Sequence, residues 1–276
     1  MSFKTILSVI GNRDQETDIA KAIELALQMD AHLTVLVMDI AITPTLSDYP
    51  VGTVWLDQRV EDMKALQSTA DKAKNSLDIA NIPYDIEHFY TERPFAADVI
   101  YRHALYADLV LLGEKTRENS ALLSAVVDGA VFGAQRPLLL TSAKDKPAAK
   151  VRKVLLAWNS RPEAGRAARE AMDLLRHAEA VHLVVVDPDA TYLANGGEPG
   201  ADMAAYLARH GVNVVVDQLP SGGRRVQDVL NSHALEVGAD LIVMGAYGHS
   251  RLRERVFGGV TQSMLEECEV PVLIAR

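Results

Sequence analysis

Apolar and polar positions along the chain form two kinds of block. Short continuous apolar runs, typical of strands buried on both faces, are separated by longer segments with helical periodicity. In the second half, helices are predicted over residues 162–177 and 226–235. Strands that alternate with helices predict a parallel sheet covered on both faces. The predicted strands of this half are residues 153–158, 182–187, 212–217, 241–245 and 272–276.

The same order of segments occurs twice. LTVLVMD is echoed by HLVVVDP, DVIYRHAL by DVLNSHAL, ADLVLLG by ADLIVMG, and RPLLLTS by VPVLIAR, at offsets of about 130 to 150 residues. The join KDKPAAK, residues 144–150, is charged, contains Pro147 and lacks apolar periodicity, as is typical of a linker. The repeat therefore predicts two Rossmann-like, doubly wound α/β domains in tandem, residues 1–145 and 151–276.

A glycine-rich segment follows the fourth predicted strand of the second half. Residues 239–261 read ADLIVMGAYGHSRLRERVFGGVT, with glycines at 245, 248, 258 and 259. Glycine lets backbone N–H groups approach an anion without a Cβ in the way, and a helix that begins near Gly258 would add its N-terminal N–H groups. The segment predicts a phosphate-binding loop. The alternative is that the glycines only shape a long connection between a strand and a helix.

The G-x2-G-x9-G spacing resembles the nucleotide loop of the universal stress protein family, whose pattern ends in Gly-Ser or Gly-Thr. In this chain Gly259 stands where the family has the hydroxyl residue, so one side-chain contact to phosphate is lost. The resemblance covers essentially the whole chain, as two copies. It implies binding of ATP or another adenine nucleotide, with or without Mg²⁺. It also implies two domains packed by their last strands as an internal pseudo-dimer, and it leaves a homodimer open.

The resemblance also assigns residues to the nucleotide. Asn159 stands where the family has an aspartate near adenosine, although Asn159 or Ser160 could instead cap the next helix. His249 and Arg251 would neutralise phosphate charge, whereas Arg253 and Arg255 are interpreted as a solvated loop face. The residues assigned to adenosine are Trp158, Asn159 and Val185, and those assigned to the phosphates are Gly245, Gly248, Gly258, Gly259 and Val260.

The first half lacks the glycine pattern. Gly113 is retained, but Thr116 replaces the second glycine, and Ser124 and Ala125 align with Gly258 and Gly259. Side chains would therefore occupy positions where phosphates need bare backbone. The sequence predicts one nucleotide per chain, in the second half.

The positions of histidine and cysteine in the sequence predict neither a catalytic site nor a metal site. His103 and His233 occupy equivalent positions of the repeat, and a structural role is favoured because no carboxylate or cysteine stands beside them. His177 and His182 lack the i, i+4 spacing of a helical metal pair, so no metal site is expected. Cys268, near the end of the last helix, is interpreted as buried filler.

Composition excludes several classes of partner. A net charge of −9 argues against binding to nucleic acid or to anionic membranes. A single cysteine excludes an internal disulfide and is typical of a reducing compartment. The apolar run near the N-terminus is too short for a signal peptide or a membrane span, so a cytoplasmic location is expected.

A nucleotide-binding stress or signalling module with little or no turnover is the favoured function. An enzyme would need a general base or a metal-binding carboxylate near the phosphates, and the loop offers only Glu254. An enzyme that acts slowly on ATP or on an adenylated or phosphorylated small molecule is one alternative. A carrier of a small molecule or lipid, with a degenerate nucleotide site, is another.

Overall fold

The computed structural model describes residues 3–12, 15–41, 53–141, 151–188, 198–246, 259–266 and 268–276. Contacts between Cα atoms divide the chain into two compact units, Phe3–Arg136 and Pro137–Arg276. The predicted linker, residues 144–150, lies outside the described residues, and the domain limits 1–145 and 151–276 stay a prediction. No helix in the described part of the chain is long and apolar enough to cross a membrane.

The first unit contains four parallel strands in the order β3-β2-β1-β4. Because β2 and β3 lie on one side of β1 and β4 on the other, right-handed crossovers place helices on both faces of the sheet. The strands are β1 (Thr5–Ile10), β2 (His32–Ala41), β3 (Tyr84–Glu92) and β4 (Leu109–Leu112). The helices are α1 (Glu16–Met29), α2 (Thr53–Ala80), α3 (Arg93–Ala104), α4 (Glu114–Arg117) and α5 (Ser120–Val126), followed by a π-helical segment, Val127–Gly133.

The second unit repeats this arrangement and adds one antiparallel strand. Its strand order is β5-β10-β9-β6-β7-β8, and β5 is antiparallel to β10 while the other pairs are parallel. The strands are β5 (Leu138–Leu140), β6 (Lys153–Ala157), β7 (Ala180–Val186), β8 (Val214–Leu219), β9 (Leu241–Gly245) and β10 (Val272–Ala275). The helices are α6 (Pro162–Glu170), α7 (Met172–His177), α8 (Ala201–Arg209), α9 (Val226–Val237) and α10 (Gly259–Glu266).

Each core is centred on the middle strands of its sheet. All six residues of β1 except Thr5 are buried, and Val154, Leu155 and Leu156 of β6 are fully buried. A strand that is buried on both faces has no polar side to alternate with, which explains its continuous apolar sequence. The Rossmann-like α/β class predicted from the sequence is confirmed. The helix predicted over residues 162–177 is in fact two helices, α6 and α7, which meet at Ala171.

Candidate functional site

A crevice is expected where the strand order of the second unit changes direction. Strand β6 lies between β9 and β7, and the chain moves to β7 and β8 on one side and to β9 and β10 on the other. Leu156 pairs with Val243 and Ala157 with Val184, so the carboxyl ends of β6, β7 and β9 meet at one edge of the sheet. Ligands of open α/β sheets bind at such a switch point.

Trp158 and Asn159 leave the end of β6 at this edge. The backbone N–H of Trp158 donates to the carbonyl of Val184 at 2.9 Å, which continues the ladder for one residue beyond β6. The Asn159 Oδ1 atom accepts from the backbone N–H of Arg161 at 3.2 Å, and Arg161 is the N-cap of α6. Asn159 therefore shapes the turn into α6 instead of capping the helix. Its side-chain NH₂ group remains a donor at an exposed position.

Val185 lies near the end of β7 and is 2 % exposed. A Cβ built on Gly200, the residue before α8, would lie 3.3 Å from Val185 Cγ2, so the isopropyl group packs beneath this segment. Any contact of Val185 with adenosine would consequently use its main chain.

Gly245 is required by packing. A Cβ at this position would lie 2.5 Å from both the Ala164 nitrogen and the Glu163 carbonyl carbon, because the first turn of α6 passes directly over the end of β9. Gly259 differs, since a Cβ there would have no described atom within 4 Å. Gly259 and Val260 are the first described residues of α10. Gly248, His249, Arg251 and Gly258 lie outside the described residues.

Comparison with known proteins agrees with this fold. Residues 150–276 match the family model of the universal stress protein family. The second unit is therefore similar to the universal stress protein family over nearly all of its length. A universal stress protein of Synechocystis sp. is 26 % identical over 178 residues, which are 61 % of this chain and 58 % of that relative, so the match spans less than two thirds of the relative's length.

Solved structures match the whole chain in fold. A universal stress protein from Archaeoglobus fulgidus has a TM-score of 0.68 at 16 % identity, and the match covers 98 % of this chain and 96 % of that one. A Pseudomonas aeruginosa protein has a TM-score of 0.60 at 16 % identity, with 99 % and 93 % coverage. The whole chain therefore has a known fold.

Glu163 is a site residue that sequence reasoning missed. It lies in the first turn of α6, directly over Gly245, and its Oε2 atom is buried with no hydrogen-bond partner among the described residues. The helix N-terminus favours a negative charge there. The sequence feature that could have indicated Glu163 is an acidic residue directly after Pro162, at a predicted helix start. Glu163 therefore places a carboxylate at the carboxyl edge of the second sheet.

In the first unit, the carboxylate of Asp18 occupies the place at the end of β4 that corresponds to the end of β9. Asp18 is 3 % exposed, and its Oδ2 atom accepts from the backbone N–H and the hydroxyl of Thr116, each at 2.8 Å. Its Oδ1 atom accepts from the Lys115 N–H at 3.3 Å, and a Cβ on Gly113 would overlap the Asp18 carboxyl group. The Thr116 hydroxyl also accepts from the Gly11 N–H at 3.1 Å. The backbone donors after β4 are thus already paired with a built-in anion.

Proposed function

We propose that this protein is a universal stress protein that binds one adenine nucleotide per chain, in its second unit, and hydrolyses it slowly or not at all. The contrast between the two units carries the proposal. After β4 the donors are paired with Asp18, and Thr116, Ser124 and Ala125 stand where the second half of the sequence has Gly248, Gly258 and Gly259. A buried carboxylate would repel phosphate from the first unit, because two negative charges at close range are strongly unfavourable away from bulk water.

In the proposed complex the adenosine lies at the ends of β6 and β7. Trp158 offers an aromatic face, and Asn159 offers an amide donor in place of the family's aspartate. Val185 would contribute through its main chain. The half-buried position of Trp158 beside α6 supports this orientation, because an aromatic ring that is partly exposed at a strand end is available for stacking.

The phosphates would extend from the end of β9 towards the start of α10. Gly259 supports this path because packing among the described residues does not explain its lack of a side chain. The N-terminal N–H groups of α10 and its positive dipole end favour an anion. The residues proposed to hold the phosphates, with or without Mg²⁺, are Gly245, Gly248, His249, Arg251, Gly258, Gly259 and Val260.

We expect ATP turnover far below about 1 per second. Phosphoryl transfer needs a positioned water and a metal-supported γ-phosphate, and the loop has lost the hydroxyl at position 259 and carries no lysine after its glycines. Phosphate release would be measured with Mg²⁺ or Mn²⁺. A Gly248→Val preparation, purified identically, controls for contaminating ATPases.

An enzyme is the second candidate function, and the buried carboxylate oxygen of Glu163 favours it. Robust turnover that disappears in Glu163→Gln or Glu254→Gln would establish this candidate and contradict the binding module.

Mass spectrometry of the ligand carried through purification distinguishes the nucleotide-binding module and the enzyme from a carrier of a small molecule or lipid. An adenine nucleotide is expected, and a lipid or another small molecule in its place would contradict the proposal.

We infer the cellular location and the assembly of the protein from its sequence. A cytoplasmic location is compatible with the single cysteine, Cys268, which is buried. The internal pseudo-dimer and a homodimer stay proposals from the family resemblance.

A further inference from the structure

The second unit contains a cluster of three side chains that the proposed nucleotide site does not use. His182 lies on β7, Asp217 on β8 and His233 on α9. The Asp217 Oδ2 atom lies 2.8 Å from His182 Nδ1 and 2.9 Å from His233 Nε2. The three candidate ligand atoms all lie within 4.8 Å of one another, and no other such group of three or more His, Cys, Asp or Glu residues exists among the described residues.

The two imidazoles converge on a single point. Their rings are edge to face, with centroids 6.1 Å apart, so they do not stack but direct one nitrogen each at the same carboxylate oxygen. Burial raises the pKa of Asp217, but hydrogen bonds from His233 and His182 outweigh it and lower the pKa overall. The cluster therefore brings one carboxylate oxygen and two imidazole nitrogens together at one point.

The spacing of these atoms is close to that of a metal ligand set. Bonds of about 2.0 to 2.1 Å to a tetrahedral ion place its ligand atoms about 3.3 Å apart. The Asp217 oxygen is about half an ångström closer to each nitrogen than this spacing, and the two nitrogens lie within 4.8 Å of each other. The side chains of His182, Asp217 and His233 are 17 %, 21 % and 13 % exposed. An ion can therefore reach them from solvent, although most of their surface is shielded from water.

Glu236 supplies the outer contact that metal-binding histidines commonly have. Its Oε2 atom lies 3.4 Å from His233 Nδ1, on the side of the ring opposite Asp217. When a metal replaces the Nε2 proton, a carboxylate there holds the remaining proton on Nδ1 and orients the ring.

We propose that His182, Asp217 and His233 form a Zn²⁺ site whose fourth position is open to water. Two imidazoles and one carboxylate suit zinc, and three protein ligands with an open position are typical of accessible zinc sites. His182 and Asp217 lie inside their strands, away from the carboxyl ends where the nucleotide is proposed. The proposed site is therefore independent of the nucleotide loop. Sequence spacing missed it because Asp217 and His233 come from a different strand and from the helix that follows.

The first unit provides an internal comparison. Strand pairings of Leu33 with Tyr84 and of Val181 with Val214 align Thr34 with His182 and Glu87 with Asp217. The sequence repeat aligns His103 with His233. His103 Nε2 lies 3.5 Å from Glu87 Oε1, but Thr34 supplies no imidazole. With only two strong ligands, the first unit is not expected to hold zinc.

The test is a calorimetric titration with Zn²⁺ of the full chain without a polyhistidine tag, stripped by a chelator and free of nucleotide. One Zn²⁺ per chain with micromolar or tighter affinity is expected. His182→Thr, which installs the residue of the first unit, and Asp217→Asn should each weaken binding by about tenfold or more. His103→Gln, at the matched position of the first unit, should leave affinity unchanged. Co²⁺ absorption in the visible range should report a nitrogen- and oxygen-coordinated ion in the wild type and lose intensity in His182→Thr.

Far-ultraviolet circular dichroism of each variant shows whether its fold is intact. Absence of saturable Zn²⁺ binding in the wild-type chain would overturn the proposal. Affinity unchanged by folded His182→Thr and Asp217→Asn would also overturn it, because the ion would then lie on other residues and the cluster would be a hydrogen-bonded network only.

Discussion

Gly248→Val is expected to abolish nucleotide binding while both units stay folded. The new side chain would stand where the loop backbone must approach phosphate. Hydrogen bonds to a charged group contribute about 1.5 to 3 kcal/mol each, so the loss of two weakens binding by at least about 100-fold. We expect unfolding to be unaffected, because connecting loops generally add little packing to a protein core.

Arg253→Val is the matched control for this prediction. It places the same side chain in the same loop, at a position interpreted as solvated, and should change the affinity for ATP only slightly. Titration calorimetry with ATP on both variants distinguishes glycines that hold the phosphates from glycines that only shape the loop. Unchanged affinity in Gly248→Val would mean that this loop does not hold the phosphates.

Gly245→Ala is expected to destabilise the second unit by about 1 to 3 kcal/mol. The added Cβ would lie 2.5 Å from the backbone of Glu163 and Ala164, and backbone atoms in the first turn of α6 cannot move aside as a flexible side chain could. Replacing glycine by alanine normally stabilises a protein by about 0.4 to 1 kcal/mol where the backbone allows it. The sign of the effect therefore distinguishes a packing requirement from mere loop flexibility.

Urea denaturation followed by Trp158 fluorescence, in a Trp55→Phe background, reports on the second unit. Gly259→Ala is the control, since no described atom lies within 4 Å of its built Cβ, and it should be neutral or slightly stabilising. A Gly245→Ala protein as stable as its parent would show that α6 does not pack as closely over β9 as the structure indicates.

Local sequence patterns were sufficient for most of the fold. The strand predicted over residues 241–245 is β9, and the helix predicted over 226–235 is α9 with two more residues at its end. Strand β8 begins two residues later than predicted, at Val214, because its side chains are mostly half-buried or exposed and the apolar run does not mark its limits. Continuous apolar runs are local signals, whereas the limits of a peripheral strand depend on its neighbours.

The contacts that define the candidate sites could not be predicted from the sequence, because they join residues that are far apart along the chain. Asp18 meets Thr116 across 98 positions, and His182 meets Asp217 across 35, and no periodicity predicts either pairing. Gly245 is a related case. Its place in the glycine pattern predicted a contact with phosphate, but only the course of α6 reveals that packing already requires a glycine there.

A calorimetric titration of the full chain with ATP and Mg²⁺, repeated with Gly248→Val, tests the functional difference between the two units most directly. The expected stoichiometry is one nucleotide per wild-type chain and none per Gly248→Val chain. Two equivalent sites per wild-type chain, or a single site that survives Gly248→Val, would contradict the proposal that only the second unit binds the nucleotide.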